Sequence, residues 1–197
     1  MMDQSLLSEV RFMFAQSVFG HTIQNMAAVR KEAYSRWFNW FQIALTFAVI
    51  IILGVQAMGV RESWLNIIGI ISAVMDLAFI VVNLTFGFSD QAAAHRTAAR
   101  KYLALRGQYL SLITDIISSK TKSQLLYSRR DALNETYRNL SDSPPASTAD
   151  YVDTQHALNT SGNDGEEQFT WSDTEIDRFL PSGLKKLPTR KNTTSKK

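Results

Sequence analysis

Trp40–Val60 reads WFQIALTFAVIIILGVQAMGV, and Trp64–Phe88 reads WLNIIGIISAVMDLAFIVVNLTFGF. The first run holds no charge, and the second holds only Asp76. Each meets the length of a membrane span, about 20 mostly apolar residues. At about 1.5 Å per residue the helices would be about 32 and 37 Å long, so the second must tilt or protrude. A helix satisfies its own backbone N–H and C=O groups, which hydrocarbon demands. Only Arg61-Glu62-Ser63 separates the runs, so they predict a transmembrane hairpin. The competing reading, two buried helices of a soluble core, fits poorly with tryptophans at the run ends. Trp37, Phe38, Trp40 and Phe41 are expected at the inner membrane boundary and Trp64 at the outer one, depths that amphipathic rings prefer.

Lysine and arginine give the orientation. Arg30, Lys31 and Arg36 precede the first run, and Arg96, Arg100, Lys101 and Arg106 follow the second. The turn carries only Arg61. Positive residues stay inside, so both termini are expected in the cytoplasm, with the chain in the inner (cytoplasmic) membrane. The net charge of +3 hides a division along the chain. Residues 89–140 are basic, 141–182 are acidic apart from Arg178, and 183–197 hold lysine and arginine with no acid. The basic segments suit anionic lipid, and ordinary positive-inside bias explains them as well.

Within the runs the polar residues form stripes. Gln42, Thr46 and Gln56 share a face of the first helix. Gly69, Ser72, Asp76 and Asn83 share one on the second, with Gly87 beyond. An acid at the midplane costs about 2.5–3.5 kcal/mol. The surrounding Leu, Ile, Val and Phe each return about 0.3–0.6 kcal/mol, so insertion survives. Neither run holds a Lys, Arg or His to pair with Asp76. Two readings stand. The stripe, Asp76, Ser72, Asn83, Gln42, Thr46 and Gln56, lines a polar path when several hairpins assemble. Alternatively, a protonated Asp76 hydrogen-bonds across the hairpin and holds it together. Two spans cannot enclose a pore in one chain, so conduction requires a homo-oligomer.

The flanking segments read as helices, so the fold class is an all-α membrane protein. Residues 1–36 form a cytoplasmic amphipathic segment, in which Leu6, Leu7, Val10, Phe14 and Val18 recur at helical spacing. It would pack on later helices, lie in the membrane interface or meet another subunit. The hairpin occupies 37–88, with spans 40–60 and 64–88. Residues 89–140 predict a helical pair. Phe88, Ala92, His95, Ala99, Tyr102, Leu105, Tyr109, Leu112 and Ile116 line its first helix, and Leu126, Leu133, Tyr137 and Leu140 line the second. A break is expected across Ser118–Ser123. The two fold together or with the N-terminal helix as a bundle.

Residues 141–197 are rich in Ser, Thr, Asp, Pro and Gly and are expected to be largely disordered. Within them 169–181 is a short amphipathic island. Its Trp171, Ile176, Phe179 and Leu180 make an apolar side, Ser172 or Asp173 caps it, and Pro181 stops it. The island would fold onto a partner's groove or back onto its own bundle. The acidic tail is expected to shield the basic juxtamembrane helices.

No cysteine is present, which excludes disulfides, Cys zinc sites and thiol nucleophiles. The start of the chain carries Asp3 and Glu9 in place of a basic region, so no signal peptide is expected. His21, His95 and His156 lie in separate segments, without metal-ligand spacing. His21 reads as a helix-face residue. No phosphate-binding glycine loop and no G-x-S-x-G elbow occurs. The chain is expected to be no enzyme, to need no cofactor and to bind no nucleic acid sequence-specifically.

The run FSDQAAAHRTAARKYLALRGQY, Phe88–Tyr109, carries Ala92, His95-Arg96, Ala98-Ala99, Tyr102 and Leu105. Together with the preceding hairpin it resembles the SLATT domains, the SMODS and SLOG-associating two-transmembrane effectors. The resemblance covers about residues 5–140 and leaves the acidic tail without a counterpart. It implies an effector of a prokaryotic conflict system that assembles in the inner membrane, perforates or depolarises it, and stops growth. Implied partners are nucleotide-second-messenger synthetases, nucleotide sensors or reverse transcriptases. His95, Arg96 and Tyr102 match the family element, as gating groups or as helix packing. A non-conducting anchor that recruits a soluble partner, or a regulatory subunit of a larger channel, are the alternative functions.

Overall fold

The computed structural model describes residues 4–59, 62–119, 121–140, 142–158 and 171–185. Every regular element among them is helical: α1 (Gln4–Ala57), α2 (Ser63–Phe86), α3 (Phe88–Ser118), α4 (Ser123–Arg138), α5 (Thr148–Ala157), α6 (Asp173–Phe179) and a 3-10 turn at Ser182–Leu184. The N-terminal segment and the first span are thus one uninterrupted helix. Two compact units result. One takes the described residues of Met1–Gln24 and Ala98–Lys197, and the other is Asn25–Thr97.

The unit Asn25–Thr97 is the hairpin. The apolar parts of α1 and α2 are each long enough to cross a membrane, and their most apolar windows bury nothing inside the protein. No residue of α2 is buried. Trp40, Ile51, Ile70, Leu77 and Leu84 are all exposed. A soluble core helix would hide such side chains, whereas lipid covers them, so the soluble-core reading falls. The turn begins earlier than Arg61. Helix α1 ends at Ala57, and Gly59 at φ 94° carries the chain out of it, its N–H donating to the Gln56 carbonyl at 3.0 Å. Glycine tolerates that left-handed backbone, which opposes continuing the helix. Val60 and Arg61 lie outside the described residues. At the other end α2 stops two residues short of Phe88. Gly87, at φ 51° and ψ 45°, caps it through an N–H donated to the Asn83 carbonyl at 3.0 Å. The helix expected to leave the membrane uninterrupted therefore breaks at one glycine and restarts.

The second unit is a bundle. Leu6, Leu7, Val10, Phe14 and Val18 of α1 are all buried against Leu105, Tyr109, Leu112, Ile113 and Ile116 of α3. Leu126 of α4 and Leu140 complete the packing, with Leu133 and Tyr137 half-buried beside them. The first third of α1 therefore packs on later helices. Polar cross-links tie the layers. Tyr109 donates to Asn134 Oδ1 at 2.9 Å, Asn134 donates to Glu9 Oε1 at 3.2 Å, and Arg130 pairs with Glu9 at 2.5 Å. Arg129 pairs with Asp115. Burial pushes the Tyr102, Tyr109 and Tyr137 phenols above their ordinary value, so they serve as neutral donors. His21 Nδ1 donates to the Ala99 carbonyl at 2.9 Å, the role of a helix-face residue.

The expectation of a disordered tail fails for residues 148–157. Ser147 and Asp150 form a capping box that starts α5. Asp150 and Thr154 are buried, and Tyr151 meets Phe19 edge-on at 5.4 Å. Gln24 Nε2 donates to the Pro144 carbonyl at 3.0 Å and fixes the approach. A segment too polar to fold alone is held because its few apolar and polar groups meet prepared partners. Residues 159–170, including Phe169, and 186–197 lie outside the described residues.

Gly20 explains why α1 and α3 approach so closely here. A Cβ placed there would lie 2.7 Å from the Tyr102 ring. Gly20→Ala is expected to lower bundle stability by about 1–3 kcal/mol through overpacking. Gly107 has open space around it, and Gly107→Ala should raise stability by up to about 1 kcal/mol. Thermal unfolding in detergent, followed by circular dichroism, compares the two. Equal effects would show that the Tyr102 ring does not need the glycine.

Candidate functional site

The hairpin holds the first site, a polar seam. An aromatic cluster sets its register at one end. Phe79 lies 5.6 Å from Phe38 and 4.7 Å from Phe41 between ring centroids, and Phe88 lies 5.2 Å from Phe38. From there the antiparallel register places Thr46 opposite Asp76, Ile52 beside Gly69, and Gln56 opposite Asn66. The Thr46 hydroxyl stands 3.1 and 3.2 Å from the two Asp76 carboxyl oxygens and 3.0 Å from the Gln42 carbonyl. Carrying one proton, it donates to one acceptor at a time. Gln56 Nε2 donates to Asn66 Oδ1 at 2.9 Å. A Cβ on Gly69 would sit 3.2 Å from Ile52 Cγ2, so that glycine sets the closeness of the two helices.

Two of the expected stripe residues therefore meet, Thr46 and Asp76. Gln56 finds a partner that sequence reading missed. Asn66 lies three residues before Gly69 on the same helical stripe, and that spacing was the available signal. The side chains of Gln42, Ser72 and Asn83 stand outside both pairs. All three are half-buried. Across the whole seam no basic side chain approaches Asp76, because neither span contains one. The arrangement is a closed polar ladder within one hairpin, on helices whose outer faces are apolar.

His95 and Arg96 belong to the same unit. His95 is only 3 % exposed, on the face that also buries Ala92. Arg96 pairs with Glu32 at 2.5 Å, with both side chains substantially in solvent, so the pair stabilises little. Tyr102 belongs to the other unit, with its ring over Gly20 and its hydroxyl donating to the Leu140 carbonyl at 3.4 Å. The three family-element positions thus occupy helix-packing places. They do not form one cluster.

The bundle holds a second arrangement, which sequence reading missed. Arg11 on α1 is 1 % exposed. Its guanidinium donates to Asp177 Oδ1 at 2.6 Å, to the Leu184 carbonyl at 3.3 Å and to the Asp173 carbonyl at 3.5 Å. Ile176 and Leu180 are buried beside it, and Trp171 meets Phe12 and Phe19 edge-on at 6.4 and 6.3 Å. Phe179 packs half-buried on the same core. Ser172 caps α6 with a capping box to Glu175. The island thus folds back on its own bundle. The acids of α6 engage Arg11 of the N-terminal helix, in place of the juxtamembrane arginines that the sequence suggests. Arg11 escapes notice in the sequence because a lone arginine on an apolar helix face ordinarily reads as solvated.

Among the described residues no group of three His, Asp or Glu side chains is placed to hold a metal ion. A family model described as "SMODS and SLOG-associating 2TM effector domain family 4" matches residues 6–175. The match runs past residue 140 through α5 and into α6, so the tail, expected to lie outside the family pattern, largely belongs to it. No curated protein and no solved structure matches the chain.

Proposed function

The chain belongs to the SMODS and SLOG-associating 2TM effector domain family, two-transmembrane effectors associated with conflict systems, and from that premise we propose that it permeabilises the cytoplasmic membrane as a homo-oligomer. In this reading both termini face the cytoplasm, and a sensor or nucleotide-signalling partner triggers assembly. The cell is arrested or killed because its ion gradients collapse. The chemistry is that of a conduit, with no enzymatic step.

One observation carries the reading: Asp76 sits at the centre of an otherwise apolar span, and its partner in the hairpin is a neutral threonine hydroxyl. An acid at that depth is costly, and such residues mark ion or proton pathways. When hairpins assemble, the Thr46–Asp76 rung and the Gln56–Asn66 rung supply the polar groups that a lining needs. The same rungs favour a second reading. Satisfied within one chain, they suit a non-conducting anchor that recruits a soluble partner through the bundle.

Expression of the full chain in bacterial cells separates the two. Permeabilisation predicts growth arrest, collapse of membrane potential and uptake of a membrane-impermeant dye. Growth arrest with an intact potential and no dye uptake would leave the anchor standing and remove the conduit.

A further inference from the structure

The groove around Arg11 has a built demand. A guanidinium that is 1 % exposed needs a carboxylate and carbonyl acceptors, or it becomes an uncompensated buried charge. Here residues 171–185 meet that demand with Asp177, the Asp173 carbonyl and the Leu184 carbonyl. Helix α6 has seven residues, far below the length at which a helix persists alone in water, so it exists as a helix only when docked. Its connection to α5 runs through residues 159–170, twelve residues that include Gly162 and Gly165. Twelve residues can reach at most about 40 Å. In an assembly of this chain, each copy presents one Arg11 groove and one α6. Exchange of α6 between neighbours keeps every groove contact and exchanges only the owner of the helix, a low-cost route to association. A neighbour's helix on a short tether competes at an effective concentration similar to the chain's own.

We infer that the Arg11 groove is an interaction surface between copies, taking the acidic α6 of a second copy in exchange for its own. The occupant is a second copy because the groove's chemistry matches α6: a carboxylate at Asp177, apolar Ile176 and Leu180 in register with it, and Trp171 against Phe12 and Phe19. The inference rests on the homo-oligomer of the proposed function and adds the contact that links its members.

The test uses the full chain in membranes and exploits the absence of cysteine. Phe12→Cys is placed on one copy and Trp171→Cys on a second, differently tagged copy. Mild oxidation after coexpression should give a disulfide-linked heterodimer. A second measurement uses charge reversal. Arg11→Asp and Asp177→Arg, each alone, place like charges in the groove, and trypsin should cut the tail at least about tenfold faster than in the unaltered chain. Coexpressed, the two variants regain one opposite-charge pair in each groove only if the helices are exchanged. Cleavage should then return to within about twofold of the unaltered rate. Either a heterodimer or restored protection supports the exchange. If neither appears, each helix docks on its own chain alone and the inference is overturned. Neither readout requires conduction. Exchanged dimers in cells that exclude the dye would sink the conduit and leave this surface intact. Dye uptake without exchange would do the reverse.

Discussion

Asp76→Leu is expected to abolish dye uptake while the chain still inserts and accumulates in the membrane. The free energies point in opposite directions for insertion and conduction, which is what makes the substitution informative. Removing the acid from the middle of α2 relieves about 2.5–3.5 kcal/mol of insertion cost. Leucine adds about 0.3–0.6 kcal/mol in favour. The lost hydrogen bond to Thr46 is worth about 0.6–1.7 kcal/mol inside a membrane. The variant hairpin thus inserts at least as well as the original, and lost uptake cannot be blamed on lost protein. A lining that has lost its ring of acidic groups should pass at least about tenfold less dye. Thr46→Val is the control, because it removes the rung and keeps the acid, and it should leave uptake in place. Uptake undiminished in Asp76→Leu would show that Asp76 serves only to hold the two helices together.

Why the seam was legible and the Arg11 contact was not follows from the two solvents involved. In hydrocarbon a polar side chain stands out against its neighbours, so Thr46, Gln56 and Asp76 could be found from composition and spacing. Their pairing followed from the short turn, which allows only an antiparallel register. The apolar faces of α1 and α3 were equally readable, and Val10, Phe14, Leu105 and Leu112 lie where the three- and four-residue spacing placed them. In the bundle the polar residues carry no such contrast. Arg11 resembles any surface arginine until Asp177 arrives from 166 residues away. Gly20 resembles any helical glycine until the Tyr102 ring lies against it. The capping box Ser147–Asp150 was written in the sequence and could have announced α5, but the composition of its surroundings outweighed it. Local rules found the helices, and long-range chemistry decided which polar groups are buried.

The second large effect concerns that long-range pair. Asp177→Ala is expected to release the tail and destabilise the bundle by about 3 kcal/mol. Breaking a buried ion pair by removing one partner typically costs about 3–5 kcal/mol, because the remaining charge stays buried. The lower end applies, since the Asp177 side chain keeps a fifth of its surface in water while that of Arg11 keeps a fiftieth. The Leu184 and Asp173 carbonyls also remain as acceptors. The paired substitution Arg11→Met with Asp177→Leu should recover most of the loss, to within about 1 kcal/mol of the original chain, since apolar groups of similar size often replace a buried pair without penalty. Thermal unfolding in detergent gives the stabilities, and the rate of trypsin cleavage at Arg178 and Lys185 reports the docking of α6. Should Asp177→Ala unfold at the original temperature with its tail still protected, Ile176 and Leu180 would be holding α6 by apolar burial alone. The charge on Arg11 would then contribute nothing to choosing what occupies the groove.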